Sequence, residues 1–234
     1  LIGALLQEAL DPALLRAGVR KPVVTVVTQV LVDRADPAFR APTKPIGPFY
    51  RSRSGLPRSW RLVRTEHGWR RVVPSPEPRS ILEAKTIQEA SAHSVVVACG
   101  GGGVPVVRAP PDAGRSLRQR GAGQLRGVDA VIDKDLTAAL LAKAVGAREL
   151  IILTDVDAVF LDYGTKQQLA LRAVTASQLR GYQKEGHFPP GSMGPKVEAA
   201  LRFLRSNPRG RVRITSFAKL EQALAGRAGT RITA

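Results

Sequence analysis

Apolar residues follow two rhythms along this chain, one with a helical period and one with the continuous β-branched runs of buried strands. The opening LIGALLQEAL spaces its apolar positions three and four apart, as an amphipathic helix does. KPVVTVVTQVLVD, Lys21 to Asp33, then reads as one buried strand. In the following ADPAFRAPTKPIGPFY, Pro37, Pro42, Pro45 and Pro48 argue against a helix or a central strand. An ordered loop is expected there, with Ile46, Phe49 and Tyr50 to bury. SWRLV and GWRRVV flank a turn at Glu66, His67 and Gly68 and predict a hairpin. PSPEP closes that segment, and RSILEAKTIQEA resumes a helical period.

From Val95 onward the pattern is strand, loop, helix, repeated. VVVAC is a strand. GVDAVIDKDLTAALLAKAVG is a short strand or turn entering a helix that stops at Gly146. ELIILT is a further buried strand, and TASQ, Thr175 to Gln178, has capping-box spacing before a short helix. GSMGPKVEAALRFLRS predicts a helix with Pro195 at its first position. RVRIT, FAKLEQALAG and TRIT finish as strand, helix, strand. This alternation predicts a mainly parallel sheet with helices on both faces.

Length and composition narrow the class. At 234 residues with 44% hydrophobic content, the chain can bury a real core. No apolar run approaches the ~20 residues that span a bilayer, and no secretory signal pattern is visible. The single cysteine, Cys99, cannot form an internal disulfide, which fits a reducing, cytoplasmic setting. The net charge of +17 invites a nucleic-acid reading, yet the basic residues are scattered. The densest patches, Arg51–Arg71 and Arg108–Arg126, are loop-like and carry few stacking aromatics. His67, His93 and His187 lie far apart and form no metal-ligand cluster. Residue 1 is Leu rather than Met, and the first helix lacks an N-cap, so the chain is expected to be a piece of something longer.

Three loops can carry chemistry. Gly100, Gly101, Gly102 and Gly103 follow a strand but lack the dinucleotide spacing and the Gly-Lys-Ser/Thr of a P-loop. They read either as a backbone N–H cradle for an anion or as a tight turn. In the DKD run, Asp133 and Asp135 flank Lys134, as a solvated charge cluster or as carboxylates that keep an ammonium charged beside a phosphate. Asp135 also suits an N-cap for a helix beginning at Leu136. In GSMGPK, glycines precede a helix start and Lys196 occupies the first turn, where a cation does not favour the helix. Arginine outnumbers lysine 27 to 9, yet PTKP, DKD and GPK all use lysine. A compact ammonium rather than a planar fork is wanted at those points.

TQVLVDRADPAFRAPTKPIGPFY, GWRRVVPSPEP, VVVACGGGGVPVV, GVDAVIDKDLTAALLA, LTDVDAVFLDYGT, GSMGPKVEAALRF and AGTRIT together resemble the carbamate kinases of the amino acid kinase superfamily, in that family's order. The proline-rich segment and the GWRRVVPSPEP run separate it from other superfamily members. The resemblance implies an α/β fold, a three-layer α/β/α sandwich with a mainly parallel central sheet. It implies a protruding hairpin insert over 36–78 that brings Lys44 over the site. It implies a homodimer acting on ATP or ADP, with Mg²⁺, and on carbamate or carbamoyl phosphate, often in arginine fermentation. Carried over by motif, Lys134 and Lys196 contact the transferring phosphoryl group and Asp135 orients them. Gly100 to Gly103 line the acceptor site, and Asp155, Asp157, Met193 and Gly194 border the nucleotide.

Members of that family begin with a strand and a Gly-Gly-Asn loop, then an Asn-Gly-Pro loop, and neither occurs here. The resemblance therefore implies a single domain over 1–234 that starts on the following helix and is N-terminally incomplete. Three other readings stay open: an inactive chain of the same fold, another phosphotransferase of the superfamily, and, on charge alone, a basic nucleic-acid-binding module.

Overall fold

The computed structural model describes residues 2–108, 124–189 and 191–234. Most of the basic stretch Arg108–Arg126 lies outside the described residues. Contacts divide the chain into two units, Leu1–Glu83 with Glu89–Lys134, and Ala84–Gln88 with Asp135–Ala234.

In the first unit, helix α1 (Ile2–Arg16) rests against β1 (Val23–Thr25). The approach is close: a Cβ on Gly3 would lie 2.4 Å from Thr25 Cγ2. The apolar run read as one strand breaks into β1 and β2 (Gln29–Val32), which enter different sheets. A side chain makes the corner. Thr28 Oγ1 donates to the Val26 carbonyl at 2.9 Å and accepts the Cys99 N–H at 3.0 Å. Such side-chain-to-backbone bonds compete with a continuous strand and leave no mark in the apolar pattern.

The proline segment is also more regular than expected. β3 (Lys44–Tyr50) contains Pro45 and Pro48 and pairs with β5 (Gly68–Val73), which pairs in turn with β4 (Arg61–Thr65). β3 is an edge strand with a register shift between Ile46 and Tyr50, the setting in which a sheet tolerates proline. β4 and β5 form the expected hairpin. Asp36 anchors the approach to it, accepting N–H groups from Ala38 at 2.8 Å and Glu77 at 2.9 Å. Beyond it, β6 (Pro78–Ile81) precedes helix α2 (Ala84–Ser91), so RSILEAKTIQEA is strand, then helix.

β7 (Val95–Val97) pairs in parallel with β1. β8 (Val104–Arg108) and β9 (Leu125–Gly127) complete a sheet of order β6-β2-β8-β9. Within it β2 and β8 are parallel and the outer pairings antiparallel.

The second unit contains α3 (Lys134–Ala144), β10 (Glu149–Thr154) and the antiparallel pair β11 (Val159–Leu161) and β12 (Leu169–Leu171). β13 (Ala173–Thr175) leads into α4 (Ala176–Lys184). There Thr175 and Gln178 form the expected capping box. α5 (Met193–Ser206), β14 (Arg211–Ser216), α6 (Leu220–Leu224) and β15 (Thr230–Thr233) follow. The sheet order is β10-β14-β15-β13, with β10 and β14 parallel, β13 and β15 parallel, and β15 antiparallel to β14. The fold is α/β, with mixed rather than purely parallel sheets.

Two helix starts differ from the sequence reading. α3 begins at Lys134, so Asp135 sits inside the first turn and not at the cap. α5 begins at Met193, which makes Pro195 its third residue. The first four N–H groups of a helix have no helical acceptor, so proline costs no hydrogen bond there either.

α5 supplies the centre of the core. Val197, Leu201, Phe203 and Leu204 pack with Leu179, Val212, Ile214 and Ile232. Among the described residues no helix is long and apolar enough to cross a membrane. Phe203 is fully buried, so Phe203→Ala is expected to cost about 3–5 kcal/mol in urea unfolding. Leu224→Ala, at an exposed position of α6, should stay within about 0.5 kcal/mol.

Candidate active site

The candidate residues fall in both units, and each unit builds its own part. In the first, β7 runs into Cys99, whose φ of 55° is left-handed, and then into a 3₁₀ turn over Gly100–Gly102. The four glycines are not equivalent. Gly102 has φ +103°, and a Cβ there would lie 2.5 Å from the Ile132 carbonyl oxygen. Gly103 has φ +80°, and its Cβ would lie 2.6 Å from Val30 Cγ2. These two are glycine because their own chain comes too close for anything larger. Their N–H groups bond inside the turn, to the carbonyls of Cys99 at 2.9 Å and Gly100 at 3.2 Å. Gly100 and Gly101 are exposed with open space beside them, and they form the half of the loop that can meet a ligand.

The Ile132 carbonyl that packs on Gly102 belongs to the residue before DKD, so this packing sets where Asp133 begins. Asp133 is buried and accepts from Lys44 Nζ, brought by β3, at 2.6 Å. The sequence reading set Asp133 beside Lys134 as a flanking carboxylate and did not show its pairing with Lys44. Lys134 is exposed as the first residue of α3, where the helix dipole disfavours a cation.

Cys99 sits behind this loop. Burial pushes its thiol up to about 11, against the lowering effect of the Thr28 hydroxyl, with the charge of Glu83 adding to the rise.

In the second unit, Lys196 Nζ lies 3.1 Å from Asp135 Oδ2 and 3.5 Å from the Ser192 carbonyl. Both charged residues are buried. A buried ammonium and carboxylate with side-chain exposures of 11% and 9% contribute little net stability, but removing one takes the counter-charge from the other. The pair fixes the position of Lys196 at the wall of a cavity of about 310 Å³. Asp155 and Met193 line the same cavity, with Thr154, Phe160, Tyr163 and His187. The Asp155 carboxyl is held below the usual carboxylate range first by the Thr154 hydroxyl, at 2.9 Å, then by its own N–H. The Lys196 charge adds to this.

Two expected nucleotide residues have other contacts. Asp157 accepts the Ser216 hydroxyl at 2.5 Å and does not line the cavity. Gly194 donates its N–H to the Pro189 carbonyl at 2.9 Å, and a Cβ would meet that same oxygen at 2.9 Å. Sequence reasoning missed Phe160, Tyr163 and His187. Phe160 lies in β11 and Tyr163 in the turn after it, and no spacing in the sequence marks them as lining a cavity. His187 is held between Asp162 at 3.2 Å and Glu185 at 3.4 Å. No group of three or more His, Cys, Asp or Glu among the described residues is arranged to hold a metal ion.

The Amino acid kinase family profile matches residues 20–216. The carbamate kinases of Pyrococcus horikoshii and Staphylococcus epidermidis are each 44% identical over 99% of this chain, which spans 72% and 73% of their lengths. This chain belongs to the amino acid kinase family, among its carbamate kinases. The carbamate kinase of Giardia lamblia bound to AMP-PNP superposes with a TM-score of 0.82 at 37% identity. That likeness covers 99% of this chain and 72% of the other. Membership of the carbamate kinases makes this an ATP-dependent kinase.

Gly102→Ala is expected to cost more than about 2 kcal/mol in urea unfolding, because it combines a left-handed φ with a backbone clash. Gly100→Ala should stay within about 0.5 kcal/mol. Alkylation of Cys99 by iodoacetamide, followed by mass spectrometry, should be slow at pH 8 and rise through about pH 11. The raised thiol pKa also fixes a sign for stability. Its contribution is full below the unfolded value of 9.0 and is lost as pH rises through 11.

Proposed function

We propose that this chain transfers a phosphoryl group reversibly between ATP and carbamate, so that carbamoyl phosphate and ADP give carbamate and ATP. One observation carries the reading: Lys196, held by buried Asp135, faces a cavity shared with Asp155 in a chain 44% identical to carbamate kinases. A carbamate oxygen forms a bond to the γ-phosphorus. The bond from that phosphorus to the bridging oxygen breaks, and its electron pair leaves with ADP. The acceptor is already an anion, so no general base is required. The difficulty is repulsion and alignment, which fixed ammonium groups and backbone donors relieve without a covalent intermediate.

Within this reading Lys196 and Lys134 contact the transferring phosphoryl group, and Asp135 is a positioning residue that acts through Lys196. Lys44, fixed by Asp133, covers the acceptor. Gly100 and Gly101 offer backbone N–H groups to carbamate, while Gly102 and Gly103 set the path of the loop. Asp155, Met193 and, through the loops they brace, Asp157 and Gly194 border the nucleotide. ATP enters as its Mg²⁺ complex. Asp155, whose carboxyl is held below the usual carboxylate range, is the carboxylate that would face that complex. The reading extends to a cytoplasmic homodimer at the energy-yielding end of arginine breakdown. It also takes 1–234 as part of one amino-acid-kinase domain in which 36–78 is an insert.

The test is ATP formation from ADP and carbamoyl phosphate in a coupled assay. Lys196→Gln should lower kcat at least ~100-fold. Asp135→Asn should lower kcat with a smaller effect on the KM for ADP. Thermal melting of both variants separates lost catalysis from lost folding, since each breaks a buried ion pair. Binding of ATP without turnover by the unsubstituted chain would overturn the reading and identify a protein that keeps the fold without the reaction.

A further inference from the structure

The four-stranded sheet of the first unit ends in a group of arginines to which phosphoryl transfer gives no task. A concavity of about 330 Å³ lies at the carboxyl ends of β2 and β8, with a floor of Leu31, Val32 and Val107. Arg34, Arg79 and Arg108 line it together with Asp33. None of the three arginines is paired with a carboxylate among the described residues. Asp33 spends one carboxylate oxygen on the Ala35 N–H at 2.8 Å, within its own turn, so positive charge is in excess.

Strand register brings the group together. Leu31 lies opposite Ser80 and Val32 opposite Pro78, which makes Arg79 the extra residue of a bulge in β6. A bulge re-aims the side chain it carries, and bulges recur beside binding sites for that reason. Arg108 closes β8, the parallel neighbour of β2. Three guanidinium groups share one concavity with a single carboxylate, Asp33, so positive charge there is only partly balanced by the described residues. An unbalanced cluster of this kind is a cost to the ligand-free fold that a bound counter-charge removes.

We propose that this concavity binds a small anion carrying two or more phosphate or carboxylate groups. Arginine forks match both groups with paired hydrogen bonds, which a lysine ammonium does not. The apolar floor and the volume suit a compact metabolite rather than a polymer. The site is separate from the glycine loop. Gly103 and Arg108 flank opposite ends of β8, and five residues at ~3.3 Å each set them roughly 16 Å apart. An anion at Arg108 is thus joined to the acceptor loop by a single strand.

Pyrophosphate and citrate, titrated calorimetrically at fixed ionic strength, test this in the full chain. One of them should bind the unsubstituted protein, and the triple variant Arg34→Gln, Arg79→Gln, Arg108→Gln should weaken it at least tenfold. Lys196→Gln should leave that affinity within twofold. Arg79→Lys keeps the charge but loses the fork, and it should weaken binding several-fold. The triple variant should melt no lower than the unsubstituted chain, because it relieves repulsion at exposed positions. If it does not fold, Arg108→Gln and Arg79→Lys carry the test alone. Tighter pyrophosphate binding identifies a phosphate ligand, and tighter citrate binding a carboxylate ligand. The proposal is overturned if neither probe binds, if arginine replacement leaves affinity unchanged, or if Lys196→Gln abolishes binding.

Discussion

Asp133 and Asp135, two carboxylates on either side of Lys134, each hold an ammonium brought from far along the chain. Asp133 takes Lys44, 89 residues away, and Asp135 takes Lys196, 61 residues away. Burying a charged group is costly unless it is paired or hydrogen-bonded. Each pair therefore depends on both members, and each is assembled only when its unit has folded. Such pairs add little to net stability, because desolvation offsets most of the attraction. What they supply is position. A lysine whose charge and geometry are set before substrate arrives loses little to reorganisation when charge develops on a phosphoryl group.

The backbone around these pairs serves the same end. Gly102 lets the loop after β7 pack directly on the Ile132 carbonyl, one residue before Asp133. Lys44 opens an edge strand whose two prolines fix φ and remove N–H donors, so β3 leaves its lysine at a defined point. On the other side, α5 carries Lys196 one turn from its start, and the buried Val197, Leu201 and Leu204 lock that helix into the core. A side chain can aim no better than the helix beneath it, so the density of this core bears on the precision of Lys196.

Periodicity made the helices, most strands and the capping box at Thr175 legible, because those depend on local spacing. It could not show the corner at Thr28, which one hydroxyl makes by bonding to the backbone on both sides. It misread the proline segment, since proline excludes a central strand but not an edge. In the site, residue type singled out Lys44, Lys134, Lys196 and the carboxylates beside Lys134 as candidates, whereas the pairings of Lys44 with Asp133 and of Lys196 with Asp135 depend on contacts 89 and 61 residues apart. The glycine run was legible as a close approach, but not that the approaching group is the chain's own carbonyl at Gly102. Phe160, Tyr163 and His187 were hidden for a different reason. A cavity lining is set by what surrounds an empty space, and that arrangement has no period in sequence.

The proposed phosphoryl transfer and the proposed anion site draw on different basic side chains. With arginine three times as frequent, the proposed transfer uses lysine at 44, 134 and 196, and at 134 and 196 a compact, rotatable charge can follow a phosphoryl group as it moves between oxygens. A planar fork would bind one geometry well and resist that motion. Arginine at 34, 79 and 108 has the opposite virtue, since its fork rewards a fixed carboxylate or phosphate and is not required to let it change partners. Within a net charge that suggests nothing specific when summed over the chain, the two proposals thus separate, by side-chain chemistry, three lysines suited to transfer from three arginines suited to retention.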